Sequence, residues 1–313
     1  MRVVYLGTPS FAAIPLEALA RDGRYELVGV VTQPDRPLGR SGRPQPSPVK
    51  RRVAELGLDI AVLQPETLRD PDAVAQIAAQ RPDVGVVAAY GEILRKNVLA
   101  IPPLGYVNIH PSLLPRHRGP TPVAGAILAG DTETGVTIMR LDARMDSGPI
   151  IAQQRVPLAP NARTPALTEA LFRLGAEMLV DTLARYASGE IAPIPQDDSR
   201  ATYTALLKKA DGMIAWDAPA VQIERMTRAY DPWPAAWTTW QGQQLKIIAA
   251  NVRADWAGDE PPGTIFDREG GVWVTTGSGA LELLMVQPAG KRPLAAAEWR
   301  RGLRRIEGAK LGD

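Results

Sequence analysis

Strand and helix patterns alternate over the first 187 residues, and five extended segments separated by glycine-rich turns follow residue 205. The first pattern builds an open sheet with crossover helices, and the second builds a small antiparallel barrel. The sequence therefore predicts an α/β protein: a Rossmann-like open-sheet domain over 1–187, a linker over 188–205, and an OB-like β-barrel domain over 206–313. At 313 residues with 45% hydrophobic side chains, the chain is long enough to bury a core in each domain.

Val3–Leu6 is a short apolar run and reads as a buried strand, followed by Gly7-Thr8-Pro9. Proline is tolerated in a first helical turn but not deeper, so the next helix begins at Ile14 or Pro15 and runs to Arg21. Tyr25–Thr32 is the second strand. This opening is like a mononucleotide-binding unit, but Gly7-Thr8-Pro9 lacks the G-x-G-x-x-G spacing, which disfavours a nucleotide-dependent oxidoreductase. The proline-rich, basic stretch 33–48 reads as a long functional loop. Ser47-Pro48 supplies a cap and first-turn proline for a helix over Val49–Leu56. Ile60–Leu63 is a short strand and Pro71–Gln80 a helix. Asp83–Ala89 is a continuous apolar strand of the kind buried on both faces. It ends in Tyr90-Gly91-Glu92-Ile93-Leu94, which spacing alone makes an ordinary strand-to-helix turn.

Gly105–His110 is extended, so Asn108 and His110, two residues apart, leave the same face. Pro111 keeps His110 out of helical backbone space and ends the strand where the imidazole emerges. A helix over Thr121–Ala129 follows, then a β-branched strand, Thr134–Leu141, leading into Asp142-Ala143-Arg144-Met145-Asp146-Ser147-Gly148. Pro149–Val156 is another strand, and Thr164–Tyr186 carries the longest helical periodicity. Beyond the polar linker, Pro219–Ala229 is a helix ended by Tyr230-Asp231-Pro232-Trp233-Pro234. The barrel strands are Ala236–Trp240, Leu245–Val252, Thr264–Phe266, Val272–Thr276 and Ala280–Val286.

The chain has no cysteine and only two histidines, His110 and His117. Disulfides and thiolate nucleophiles are excluded, and no metal centre is expected. Met1 leads directly into the first strand, and no apolar run reaches the roughly 20 residues of a membrane helix, so the chain reads as cytoplasmic, with no membrane partner. Net charge is only +2, but basic residues cluster at Arg36–Arg52 and again from Lys291 to Lys310. Two such clusters suit a polyanion touched at two places; from clustering alone, solvated faces explain them equally well.

Asn108, His110 and Asp146 are the candidate catalytic residues. An amine attacking a carbonyl creates a negative oxygen and a positive nitrogen together. An amide side chain can donate to that oxygen, and an imidazole can give or take the proton near neutrality. A carboxylate can orient the ring and raise its pKa, or hold a relaying water. No serine–histidine pair is evident, so direct transfer through a tetrahedral intermediate fits better than an acyl-enzyme.

Asn108-Ile109-His110-Pro111-Ser112-Leu113-Leu114-Pro115 followed by Asp146-Ser147-Gly148 resembles the folate-dependent formyltransferase superfamily. Leu6-Gly7-Thr8-Pro9, Thr32-Gln33-Pro34-Asp35-Arg36-Pro37, Gly135-Val136-Thr137-Ile138-Met139 and Gln287-Pro288-Ala289-Gly290-Lys291 extend the resemblance, almost end to end, to its branch acting on methionyl-tRNA. The resemblance implies that Asn108, His110 and Asp146 transfer formyl from 10-formyltetrahydrofolate to initiator methionyl-tRNA, without a metal. It also implies that Ser112, Leu113, Leu114 and Pro115 border the formyl-folate site, with Tyr90, Gly91 and Leu94 beside the pterin. Arg36, Arg40 and Arg43 on the basic loop, with Lys208, Lys291 and Arg304 on the C-terminal domain, would contact tRNA, with the protein acting as a monomer. His117 and Gly119-Pro120-Thr121-Pro122 depart from the aromatic and Gly-Ala-Ala-Pro usual there. His117 is expected at the surface or just behind the site. A formyltransferase for a small amine would need neither barrel nor basic clusters, and an RNA-binding module would leave the trio without a role.

Overall fold

The computed structural model describes residues 1–313 except 38–41, 255, 257, 269, 304–305 and 313. The expected tRNA contacts Arg40 and Arg304 therefore lie outside the described residues. The chain groups into two compact units: Met1–Pro122, Glu133–Pro157 and Thr168–Thr204 in the first, Val123–Thr132, Leu158–Leu167 and Ala205–Asp313 in the second.

In the first unit the strands are β1 (Arg2–Gly7), β2 (Glu26–Val31), β3 (Arg36–Pro37), β4 (Pro44–Gln45), β5 (Ala61–Leu63), β6 (Val84–Ala88), β7 (Tyr106–His110), β8 (Glu133–Arg140) and β9 (Ile150–Pro157). Seven of them form one sheet in the order β5-β2-β1-β6-β7-β8-β9. Strands β5 to β7 of that order run parallel, whereas β8 and β9 are antiparallel. The helices α1 (Ala13–Arg21), α2 (Pro48–Glu55) and α3 (Pro71–Ala79) supply crossovers, and α4 (Lys96–Leu99) is a single turn that the sequence pattern did not signal. Both caps behave as their sequence suggests: the Ser47 side chain accepts from the Lys50 N–H and the Asp70 side chain from the Asp72 N–H. The basic loop is more regular than expected. Its ends pair as a short antiparallel ladder, Arg36 with Gln45 and Pro37 with Pro44. Its base is tied by Lys50 Nζ, which donates to Asp35 at 2.8 Å and to Gln64 at 2.6 Å.

Strand β7 is central and buried throughout. Its odd residue Ile109 lies under Gly175 of the long helix α6 (Thr164–Ala187), where an added Cβ would come within 2.6 Å of the isoleucine. The opposite face carries Tyr106, Asn108 and His110. Tyr106 joins a core cluster with Val4, Leu6, Tyr90, Leu94 and Val98, and its ring fills the space over Gly85, where a Cβ would fall 2.1 Å from it. The stretch 188–204, expected as part of a linker, groups with this unit.

In the second unit α5 (Pro122–Ala129) contributes all but its first residue, and α7 (Ala220–Ala229) packs with the sheet. Six strands, β10 (Trp237–Trp240), β11 (Gln243–Arg253), β12 (Ile265–Arg268), β13 (Gly271–Thr275), β14 (Ala280–Pro288) and β15 (Leu294–Ala295), form an antiparallel barrel-like sheet ordered β10-β11-β14-β13-β12, with β15 on β14. Its core is Trp216, Ile223, Leu245, Ile247, Val274, Leu281, Val286 and Trp299, the last from helix α8 (Ala296–Arg301). The Asp231-Pro232-Trp233-Pro234 turn is anchored by Arg163, whose Nε donates to the Asp231 carboxylate at 2.9 Å.

Candidate functional site

The site is built where β7 stops. Pro111 interrupts the ladder, and the Ser112 N–H turns back to the His110 carbonyl at 2.9 Å. His110 is 4% exposed and Asn108 9%. The Asn108 amide makes no hydrogen bond to a described residue, an uncommon state for a mostly buried amide and one that leaves its donors open.

His110 Nε2 lies 3.0 Å from the His117 carbonyl oxygen. A carbonyl only accepts, so Nε2 carries the hydrogen and the neutral ring holds its lone pair on Nδ1. That nitrogen faces Asp146 Oδ2 at 3.8 Å. The gap exceeds a direct hydrogen bond. Asp146 Oδ2 is fixed by the Gly119 N–H at 2.7 Å. Burial pushes the His110 pKa below its ordinary value of 6.5, against the opposing pull of Asp146 and the His117 carbonyl. At neutral pH the ring is therefore a base with Nδ1 available.

Two non-glycine residues at this site occupy left-handed backbone: His117 at φ 58° and Asp146 at φ 48°. Such conformations cost roughly 1–3 kcal/mol each and persist only where surroundings enforce them. The expectation that His117 lies at the surface or just behind the site resolves to the second: it is 8% exposed, and its backbone grips His110.

The expected formyl-folate residues divide. Ser112 is fully buried, and its hydroxyl donates to the Arg116 carbonyl at 2.7 Å, so it braces the loop. Leu114 is buried too; its carbonyl accepts from Gln153 Nε2 at 3.0 Å. Leu113 and Pro115 are half-buried. Tyr90 and Leu94 are buried in the cluster around Tyr106, while Gly91 is exposed at φ 97°. The Tyr90–Leu94 turn is held at the sheet edge by Thr8, which donates to the Tyr90 carbonyl, and by Glu92, which accepts from Thr67 and the Leu68 N–H.

The hydroxyls of Tyr90 and Tyr106 are buried with no hydrogen-bond partner. Beside the same cluster opens a cavity of about 380 Å³, lined by Leu99, Ala100, Gly105, Arg140, Leu141 and Asp142 among others.

Sequence reasoning missed Arg118. Its guanidinium is 1% exposed and satisfied by Gln196, Asp198 and Tyr203. A lone arginine after His117 carries no periodic signal; only its position between two residues whose backbone holds His110 and Asp146 marks it.

Of the expected tRNA contacts, Arg36, Arg43, Lys208 and Lys291 are exposed. Arg36 is paired with Glu66 at 2.8 Å, whereas Arg43 makes no ion pair among the described residues. Lys291 sits on a turn braced by Gln287, whose side-chain amide donates to the Lys291 carbonyl at 2.9 Å.

The sequence profile of the family described as "Formyl transferase" matches residues 1–183, and "Formyl transferase, C-terminal domain" matches residues 206–304. A protein of Roseiflexus sp. (strain RS-1) named methionyl-tRNA formyltransferase is 65% identical over 313 residues, covering 100% of this chain and 96% of that one. One of the same name from Chloroflexus aurantiacus is 60% identical over 315 residues, covering all of both. Among solved structures, an N-formyltransferase of Helicobacter canadensis in complex with folinic acid and dTDP-3-aminofucose superposes with a TM-score of 0.67 at 16% identity, covering 91% of this chain and 98% of that one, a likeness of fold.

Proposed function

This chain belongs to the methionyl-tRNA formyltransferase family, and from that premise we propose that Asn108, His110 and Asp146 carry formyl transfer from 10-formyltetrahydrofolate to the α-amino group of methionyl-tRNA. The observation that carries the assignment of roles is the pairing of an uncommitted Asn108 amide with a histidine whose Nδ1 alone is free. Asn108 donates to the formyl oxygen as negative charge gathers there. His110 Nδ1 removes the proton from the attacking amine, and Asp146, 3.8 Å away, stabilises the imidazolium that results. The imidazolium then gives that proton to the folate N10 as the bond from the formyl carbon to N10 breaks and tetrahydrofolate leaves.

Formyl-folate supplies the activated one-carbon group. Its flat, polar pterin suits the cavity at Leu99 and Leu141, next to a cluster in which two buried phenols lack partners. A volume of about 380 Å³ lies at the small end of ligand pockets, enough for one ring system. In this reading Tyr90 and Leu94 form a wall beside the pterin, Leu113 and Pro115 border the formyl-bearing part, and Ser112 and Leu114 hold that border in place.

In this reading residues 1–187 carry the catalytic machinery, 188–205 lead to the C-terminal residues while folding back on Arg118, and 206–313 grip tRNA. Arg43 on the hairpin, with Arg36 and Arg40, and Lys208, Lys291 and Arg304 neutralise tRNA phosphates. No described helix is long and apolar enough to cross a membrane. The reading extends to a cytoplasmic monomer acting on initiator methionyl-tRNA.

The test is a formylation assay in which purified protein receives 10-formyltetrahydrofolate with charged initiator methionyl-tRNA, and in parallel with a small primary amine. Transfer to the tRNA alone is expected. Equal transfer to the small amine would reassign the acceptor, and transfer to neither would overturn the reading.

A further inference from the structure

Residues 117–119 act on the catalytic pair through their backbone. The His117 carbonyl holds His110 Nε2 at 3.0 Å, and the Gly119 N–H holds Asp146 Oδ2 at 2.7 Å. Between them, Arg118 buries its guanidinium almost completely. Its Nε and Nη2 donate to Gln196 Oε1 at 3.1 and 2.8 Å, Nη2 to Asp198 at 2.7 Å, and Nη1 to the Tyr203 hydroxyl at 3.2 Å.

The same strap reaches the other half of the pair. Gln196 Nε2 donates to the carbonyls of Asp146 and Gly148, at 2.9 and 2.7 Å. Backbone bonds close the arrangement: Arg118 N–H to the Thr202 carbonyl at 2.9 Å, and Thr204 N–H to the Arg118 carbonyl at 2.7 Å. The His117 N–H reaches Thr202 Oγ1 at 2.8 Å. Gly119 has φ 111°, and a Cβ there would lie 2.4 Å from the Thr204 carbonyl oxygen. Thus one guanidinium joins the segment that orients the imidazole to the turn that carries the carboxylate.

We propose that Arg118, acting through Gln196, is a positioning residue that fixes the spacing between His110 Nδ1 and Asp146. The proposal rests on the reading of His110 as the proton-transfer group. Arginine is required because its planar fork serves three partners at once; a lysine ammonium of the same charge cannot reproduce that geometry. Gln196 is the element that carries the constraint onward, since both hydrogens of its amide are spent on the Asp146 turn.

The charged and titratable groups facing His110 are Asp146, which favours the imidazolium, and the ring of His117, which opposes it. Loosening the strap lets the carboxylate move away and removes the favourable partner. The chain has only two histidines, so both imidazoles can be followed by NMR titration in the intact protein, independently of turnover.

The experiment compares wild type, Arg118→Lys and Gln196→Met in formylation kinetics and imidazole titration, with circular dichroism to confirm folding. In both variants kcat is expected to fall by about 10- to 100-fold, the range found when outer partners of a site are removed, with KM for formyl-folate little changed. The His110 midpoint moves to lower pH in both. Wild-type kcat and an unshifted His110 midpoint would overturn the proposal. A loss of kcat with an unshifted midpoint would also overturn it, leaving Arg118 a purely structural residue. Should Arg118→Lys fail to fold, Gln196→Met decides by the same criteria. If wild-type protein forms no formyl-methionyl-tRNA, the functional reading fails, whereas the midpoints still decide whether Arg118 sets the His110–Asp146 spacing.

Discussion

At the scale of single residues, burial and hydrogen bonding distinguish the roles proposed for Asn108, His110 and Asp146. The Asn108 side-chain amide makes no hydrogen bond to a described residue, so Asn108→Ala should cost little stability but lose about 10²–10³ in kcat, as removal of an oxyanion donor does; a kcat near wild type in the formylation assay would refute the donor role. His110→Ala should lose about 10²–10⁴ in rate, the usual share of a positioned acid–base group, while tRNA binding persists in a filter-binding measurement. Burial also links His110 to stability. Its folded pKa lies below the unfolded value of 6.5, so between the two the unfolded chain binds the extra proton. Stability therefore rises with pH through that window and is lost as pH falls. His110→Gln should flatten the acid side of the stability curve between the folded value and about 6.5, read from urea midpoints against pH. That Asn108 and His110 leave the same face of a strand ended by a proline was legible in the sequence, because they lie two residues apart in an extended run with Pro111 at its end. Which ring nitrogen is free was not legible, since it depends on a backbone carbonyl seven residues away.

At the scale of elements, the sequence located most strands to within a residue or two because their apolar runs are continuous and their ends marked by glycine or proline. Gly105–His110 was expected and Tyr106–His110 is found. The failures have a common cause. The helix α4 is one turn long, too short for periodicity to register. The polar stretch from Glu190 to Thr204 has no hydrophobic pattern, yet it folds onto Arg118 through side-chain and backbone hydrogen bonds. Polar segments ordered by hydrogen bonds look like linkers in a sequence. Strand pairing itself is testable at Gly85, which the Tyr106 ring covers so closely that a methyl group would overlap it. Gly85→Ala should destabilise by about 1–3 kcal/mol through overpacking, seen as a lowered thermal midpoint. An unchanged midpoint would mean that the ring can swing clear.

At the scale of the whole molecule, a net charge of +2 conceals where the cations stand. Arg36 already spends its charge on Glu66 and Lys50 on Asp35, whereas Arg43 and Lys291 have no such partner among the described residues. Arg43→Ala and Lys291→Ala should each reduce the slope of log K against log salt for tRNA binding by about 0.7–1, and Arg36→Ala by less. Slopes unchanged from wild type for all three would return these residues to ordinary solvated surface. The two-part organisation was readable from composition and turn spacing. The grouping of 123–132 and 158–167 with the C-terminal residues was not, because the first lies between β7 and β8 and the second between β9 and most of α6, so only tertiary packing assigns them.

The grip of Gly119 on Asp146 and of His117 on His110 comes from peptide groups, which every residue possesses. Exchanging the side chain of His117 leaves both atoms in place, provided the backbone keeps its left-handed turn, whereas Arg118 is held to its identity by the bonds of its guanidinium and Gly119 by the Thr204 carbonyl oxygen against it. Changing the number of residues does not leave them in place. One amino acid inserted or deleted between Leu114 and Gly119 would bring the wrong carbonyl to the imidazole and the wrong amide to the carboxylate. The site is therefore vulnerable to a change in length as well as to replacement of Arg118 or Gly119, so the count of residues in this loop should be held strictly.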